Sequence, residues 1–299
     1  MYSSTIRRRL KNGECVRIAF LYYPNDMFPG HAAKAGYDAV CIDAEHNEWG
    51  SREIKRLIAL HRLAGIDCMV RTGSRNQTEL SRLLEDGASA ILAPLVYTVA
   101  EAAALGQAVK FPPLGRRGID GAGFDNDFAV RGAKGYAAAA NGETSLVVQI
   151  ETPEAVAAVE EIAATPGVDG LFFGLGDLSL RMGCDPDWRE PRLQEARTRV
   201  VAAARRNGIA WGGVTGNADD VADTFRRLFE AGKVRHFGVS NFTPSQYALL
   251  ASRFPLVTNQ VEASLLHLDP LFDGTFDQCQ QLRVRPMLWS PLAGGRVLD

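Results

Sequence analysis

The sequence predicts an α/β protein folded as a (β/α)8 TIM barrel. Three observations carry that expectation: short β-rich runs recur, a helical stretch follows each, and polar residues collect where the runs end. Strand–helix alternation points to a parallel sheet, and eight such units over about 240 residues fit a barrel. An open doubly wound sheet shares the alternation. The clustering of polar residues at the carboxyl ends favours the barrel, because chain direction there brings eight loops to one mouth.

The eight runs are, in order, "VRIAFLYY", "AVCIDAE", "DCMVRTG", "AILAPLV", "SLVVQIE", "GLFFGLG", "IAWGGVT" and "VRHFGVS". Connecting pieces such as "SREIKRLIALHRLAG" and "TPEAVAAVEEIAATPG" space their apolar residues as helices do and close on Gly, the usual left-handed stop. One connection differs: Lys110 to Tyr136, between the fourth and fifth runs, carries six Gly and too few apolar residues to pack as a strand or helix. Loops of that length are commonly functional, and this one is expected to cover the mouth.

The chain has 299 residues, 46% of them hydrophobic, enough for a large core. Its 33 Lys and Arg nearly balance 35 Asp and Glu, for a net charge of −2, so no basic surface recommends a nucleic acid or a membrane. A small-molecule partner is expected. The opening "MYSSTIRRRL" lacks an apolar core of signal-peptide length, and no window reaches the roughly 18 apolar residues of a membrane span, which leads to an expected cytoplasmic location. Five cysteines, odd in number and without a CxxC pair, read as reduced thiols, with Cys41 and Cys68 packed in the core.

The strand-end residues divide by chemistry. Glu151 and Asp177 lie one βα unit apart, so in a barrel they can share one divalent cation; two hard oxygen ligands plus water suit Mg2+ or Mn2+ and tolerate Co2+ or Zn2+. Asp177 has a rival role as the N-cap of a helix beginning in "GDLSLRMG". Arg71 ends the run containing Met69 and Val70, where a guanidinium can hold an oxyanion or pair with a neighbouring carboxylate. His46 follows Asp43 by three residues, close enough for the carboxylate to orient a proton-shuttling imidazole.

These segments carry a resemblance. "CIDAEH", "VRTG", "VVQIETPEAV" and "GVDGLFFGLGDLSLRMG", with "IRRRLKNGE" and "FPPLGRRG", are similar to the successive signatures of the HpcH/HpaI family of metal-dependent pyruvate aldolases, in order from about residue 4 to Gly212. The resemblance implies a barrel of the phosphoenolpyruvate/pyruvate type and a class II aldolase, a lyase that reversibly cleaves a 4-hydroxy-2-oxo acid to pyruvate and an aldehyde. It further implies that Glu151 and Asp177 hold the metal and that Arg71 stabilises the enolate. His46 with Asp43 would handle the hydroxyl proton, and Gln149, Leu175 and Gly176 would contact substrate, while Glu45 would help shape the site. A homo-oligomer, hexamer or trimer of dimers, is implied as well. Departures are also visible: the family usually has Pro and Ala where this chain has Leu175 and Gly176, and Gly176 is expected to loosen the turn. Asp125 and Asp127 in the long loop weigh against an acidic acceptor aldehyde if they face the mouth.

From about Val221 the character changes. "GKVRHFGVSNFTPSQYALL", "TNQVEASLLH" and "VRPMLWSPLAGGR" are similar to a continuous fragment of an aldo-keto reductase. The resemblance implies nicotinamide contacts for Ser240, Asn241, Gln260 and Trp289, while the reductase's catalytic strands are absent. The expected organisation is an aldolase barrel over residues 1–254, whose last strand and helix come from the reductase-like segment, and an extension over 255–299. Such a join reads as a chimera, natural or engineered, or an assembly artefact. An NADP-binding oxidoreductase or its remnant, or a hybrid barrel with a spoiled site, are the alternative functions.

Overall fold

The computed structural model describes residues 3–130, 134–214, 221–222, 225–226, 229–230, 232 and 234–297. The chain divides into two units, Met1–Val214 and Thr215–Asp299. In the first, helices alternate with the strands of one parallel sheet of seven, β1 (Ile18–Leu21), β2 (Ala39–Asp43), β3 (Asp67–Arg71), β4 (Ala90–Ala93), β5 (Ser145–Ile150), β6 (Gly170–Phe173) and β7 (Ala210–Gly213), hydrogen-bonded in sequence order. The first seven runs expected from sequence are these strands.

Alternation along each strand builds two apolar layers. Val40 and Ile42 of β2 and Cys68 and Val70 of β3 face outward against Leu57 and Ile58 of the helix Ser51–Leu63. On the other face, Ala39 and Cys41 meet Met69, Ala90 and Leu92, with Phe20 and Phe172 packed against them. Phe20 on β1 and Phe172 on β6 belong to strands far apart in the sheet order, yet their ring centroids are 6.3 Å apart. The sheet is therefore curled, with an inner face closed on itself.

The amino ends of the strands are plugged by α1 (Thr5–Lys11), a helix whose cap follows from Ser4: its hydroxyl accepts from the Arg7 N–H. Ser4 Oγ and the Ile6 N–H both donate to Asp67 Oδ2, at 2.7 and 2.8 Å, so the start of β3 holds the start of the helix. Arg7 Nη1 lies 2.7 Å from Asp169 Oδ1, and the buried Lys110 Nζ lies 2.7 Å from Asp169 Oδ2. Burial lowers the Lys110 pKa, and the charge of Asp169 opposes that shift.

Two expectations are corrected here. Among its described residues, the long loop is anchored at the amino side where it was expected over the mouth. Lys110 Nζ donates to Thr144 O at 2.8 Å, immediately before β5, and Asp125 lines a small cavity with Ser89 and Thr144, which precede β4 and β5. The reason is topological: the helix before the loop runs back from the carboxyl end of β4, so its far end is at the amino side. Asp125 is buried, accepts from Tyr136 Oη at 2.5 Å and lies 3.4 Å from Arg117 Nη2, so it has no bearing on the acceptor.

The second correction concerns the eighth strand. Gly238–Ser240 forms β8 but pairs with β9 (Thr258–Glu262), which pairs in turn with β10 (Met287–Trp289), in a separate parallel sheet of three. Phe237, Tyr247, Leu250, Phe254 and Leu256 form one apolar cluster there. Strands from a single reductase-like source match one another's faces, so β8 is drawn to them. The boundary expected at 254/255 accordingly moves to 214/215.

Packing explains one titratable group. His61 is fully buried on the inward stripe Ile54, Leu57, Ile58, His61, with Nδ1 2.6 Å from Leu57 O and Nε2 without a hydrogen-bond partner. Burial pulls its pKa from 6.5 down to about 4, with the Leu57 bond opposing. Between those values the unfolded chain takes up a proton that the folded chain refuses, so stability falls as pH drops through that window, by on the order of 3 kcal/mol. We predict that His61→Gln flattens the fall in urea midpoint between about pH 6.5 and pH 4 relative to wild type. Parallel midpoint curves would show that His61 is not the titrating group.

Candidate active site

At the carboxyl end of the curled sheet, ladder register decides which side chains meet. Asp43 and Arg71 are Cα partners at the ends of β2 and β3, both on the inner face. Arg71 donates from Nε to Asp43 Oδ1 and from Nη2 to Asp43 Oδ2, each at 2.8 Å, the fork-to-fork geometry that fixes a guanidinium. Burial alone would raise the Asp43 pKa; the Arg71 hydrogen bonds and charge outweigh it and hold the carboxyl below its usual range. Trp49 Nε1 donates to Asp43 O at 2.6 Å and braces the loop that follows.

Glu45 and His46 ride on that loop. Glu45 Oε2 lies 3.4 Å from Arg71 Nη1 and 3.5 Å from His46 Nε2, close ion-pair distances without a hydrogen bond. Glu45 is thus an immediate neighbour of His46, while both oxygens of Asp43 accept from Arg71 and its charge meets that of His46 without a hydrogen bond. Asp43 ends the strand pointing inward, while His46, 58% exposed, lies past the turn. Burial raises the Glu45 pKa, Arg71 opposes, and the charge of Glu151 adds to the rise. Glu45 was legible only as part of the motif; no spacing rule singles it out.

Glu151 follows β5 and is buried. Its Oε1 accepts from the Leu95 N–H at 2.6 Å, and its Oε2 accepts from Gln149 Nε2. Leu95 holds φ at +50°, a left-handed conformation uncommon for a side-chain-bearing residue, in the loop after β4. Burial raises the Glu151 pKa; the Leu95 and Gln149 bonds oppose, and the negative charge of Asp177 adds to the rise. Glu151 and Asp177 are therefore electrostatic neighbours.

Asp177 is the third residue of the helix Leu175–Met182, whose N-cap is Gly174, so it does not cap that helix. Leu175 and Gly176 form its first turn, where backbone N–H groups lack intrahelical acceptors. Space around Gly176 is open, and the segment is helical where a loosened turn was expected.

The oxygen set fits a hard divalent cation. Gln149 Oε1 and Glu45 Oε2 are buried without a hydrogen-bond partner, and Glu151 and Asp177 supply carboxylates. A Cβ at Gly174 would stand 2.6 Å from Glu151 Oε2, so glycine keeps this hollow open. Among the described residues no three His, Cys, Asp or Glu side chains form a cage of their own.

In the second unit, Trp289 Nε1 donates to Asn241 Oδ1 at 3.1 Å and Ser240 Oγ donates to Gln260 O at 3.0 Å. The four residues of the reductase resemblance thus sit at one end of the three-stranded sheet. No helix among the described residues is long and apolar enough to cross a membrane.

Known proteins bear on both units. The model of the HpcH/HpaI aldolase/citrate lyase family matches residues 18–241, and that of the Aldo/keto reductase family matches residues 187–299. The hydroxypyruvate/pyruvate aldolase of Sagittula stellata is 36% identical over 203 residues, 67% of this chain and 77% of that protein. An HpcH/HpaI aldolase/citrate lyase family protein from Burkholderia cenocepacia superposes with a TM-score of 0.67 at 29% identity, covering 94% of this chain and 100% of that one. The oxidoreductase YdhF of Escherichia coli is 65% identical over 85 residues, and the chain spans 28% of that relative's length. With a family match over most of its length, the chain belongs to the HpcH/HpaI aldolase/citrate lyase family, whose members are in general divalent-metal-dependent.

Proposed function

We propose that the first unit reversibly cleaves a 4-hydroxy-2-oxo acid to pyruvate and an aldehyde through an enolate. The observation that carries this reading is the inward-facing set Asp43–Arg71 and Gln149–Glu151, a fixed cation beside buried carboxylate oxygen in one mouth. The hydroxypyruvate/pyruvate aldolase relatives support the substrate class. On the same reading, the curled sheet corresponds to a (β/α)8 barrel short of its closing strand.

Glu151 and Asp177 would hold Mg2+ or Mn2+, which supplies Lewis-acid polarisation of the keto group when bound. The residues do the rest. Arg71, locked by Asp43, presents an oriented positive charge to the oxyanion that develops as the C3–C4 bond breaks. His46, with Glu45 beside it, takes the 4-hydroxyl proton, the bonding pair passes to the enolate, and a proton returned at C3 yields pyruvate. Gln149 keeps Glu151 oriented.

Two outcomes follow. Chelation stops pyruvate release and Mg2+ or Mn2+ restores it, and Glu151→Gln weakens Mn2+ binding read by paramagnetic resonance of the free ion; unchanged binding would remove Glu151 from the metal site. Arg71→Lys keeps a charge but loses the fork, and its kcat/KM falls about 10²–10³-fold in a coupled assay of pyruvate release. A variant as active as wild type would refute the role given to Arg71.

A second reading rests on the arrangement of Ser240, Asn241, Gln260 and Trp289: retention of nicotinamide binding by the second unit. It predicts quenching of tryptophan emission by NADPH, and emission that stays constant at millimolar NADPH eliminates it.

A further inference from the structure

We propose that Arg181 forms an anion-recognising subsite at the rim of the mouth and selects acceptor aldehydes that carry a carboxylate or phosphate. This rests on the aldolase reading above and deepens it. Three loops converge around the site: Leu95 and Tyr97 after β4, Glu151 after β5, and the helix Leu175–Met182 after β6. Asp177 and Arg181 are one turn apart on that helix, so a helix that turns Asp177 to the mouth turns Arg181 the same way.

Two contacts aim the guanidinium without consuming its donors. Arg181 Cζ stands 5.9 Å from the centroid of the Tyr97 ring, and Nη2 lies 3.7 Å from Asp177 Oδ1, beyond hydrogen-bond reach. The side chain is 30% exposed, so solvent and ligand reach it. Neighbouring cations are differently placed: the Arg71 fork is spent on Asp43, and Arg75 Nη1 and Nη2 point at the carbonyls of Gly73, Ser74, Pro94 and Leu95. Asp177 offsets part of the Arg181 charge, and its proposed commitment to a cation lifts that competition. Glu101 does not compete, because its Oε2 accepts from the Tyr97 and Thr98 N–H groups. A guanidinium with open donors beside an aromatic face suits a planar or tetrahedral oxyanion.

The test uses the full chain with Mn2+ and pyruvate, and matched acceptors: glyoxylate against acetaldehyde, and glyceraldehyde 3-phosphate against glyceraldehyde. The expected result is that Arg181→Leu lowers the ratio of kcat/KM for the anionic over the neutral acceptor about tenfold, while Arg181→Lys keeps part of it. The pair that responds identifies carboxylate or phosphate as the ligand group. Added salt should lower the wild-type ratio as well, since the subsite is partly exposed. A ratio unchanged in both variants, or insensitive to salt, overturns the proposal. Deuterium exchange at the pyruvate methyl of the wild type separates the two levels: its absence sinks the aldolase reading and this inference with it, whereas exchange with an unchanged ratio sinks the subsite alone.

Discussion

The two hydrogen bonds from Arg71 to Asp43 are the constraint on which the rest of the mouth depends. Asp43 is fully buried, and a buried carboxylate without a partner is a large energetic cost; breaking such a pair by removing one member commonly costs about 3–5 kcal/mol. The pair exists only because Asp43 and Arg71 are register partners at the ends of adjacent strands. A slip of either strand by one residue would turn its member of the pair outward, since side chains alternate across a strand. The same register carries Glu45 to Arg71 Nη1 and, through Glu45, sets where His46 stands. The arrangement of the mouth thus rests on a strand-pairing event as much as on any single side chain.

The two ends of the sheet use charge differently. At the amino side, Arg7 and Lys110 each pair with Asp169, and Asp67 takes two donors from the start of α1. At the carboxyl side, Gln149 Oε1 and Glu45 Oε2 are buried without hydrogen bonds, and Leu95 holds a left-handed backbone to reach Glu151. An unsatisfied buried polar group costs about 1–3 kcal/mol, and a strained φ costs a similar amount. Orphaned buried atoms occur at both ends, Asp67 Oδ1 and Ser145 Oγ at the amino side among them, so the carboxyl side differs by the acids and the strained loop it brings together.

Much of this was legible from sequence, for physical reasons. Runs such as "AVCID" and "DCMVR" alternate between two buried faces and end in a polar residue, so both the strand and its mouth-facing tip could be read directly. Pairing partners were harder. The proximity of Asp43 and His46 in sequence suggested a pair, but direction along the chain does not reveal that Arg71 hydrogen-bonds both oxygens of Asp43 or that Glu45 also stands beside His46. The long loop misled because composition marks a loop without saying at which end of the sheet it lies. Counting helix directions places it, since each helix returns the chain to the amino side. The plug formed by Ser4 and Ile6 carried no such signal, because its partner Asp67 is 61 residues from Ile6.

The eighth strand shows where local reading stops. "VRHFGVS" has every property of a barrel strand, and both family models match it: one runs through residue 241, the other begins at 187. Propensity cannot choose between two sheets that each offer a parallel edge. Side-chain complementarity can. Val239 and Phe237 pack within the cluster of Tyr247, Leu250 and Phe254, and Ser240 Oγ donates to Gln260 O, so β8 gains both an apolar face and polar closure from its own neighbours. The aldolase acids, by contrast, all lie before residue 178 and draw every contact reported for the mouth from the first unit. A strand can therefore pair in another sheet without removing any side chain proposed for the site, which is why the proposed site is readable where the partner of the eighth strand is not.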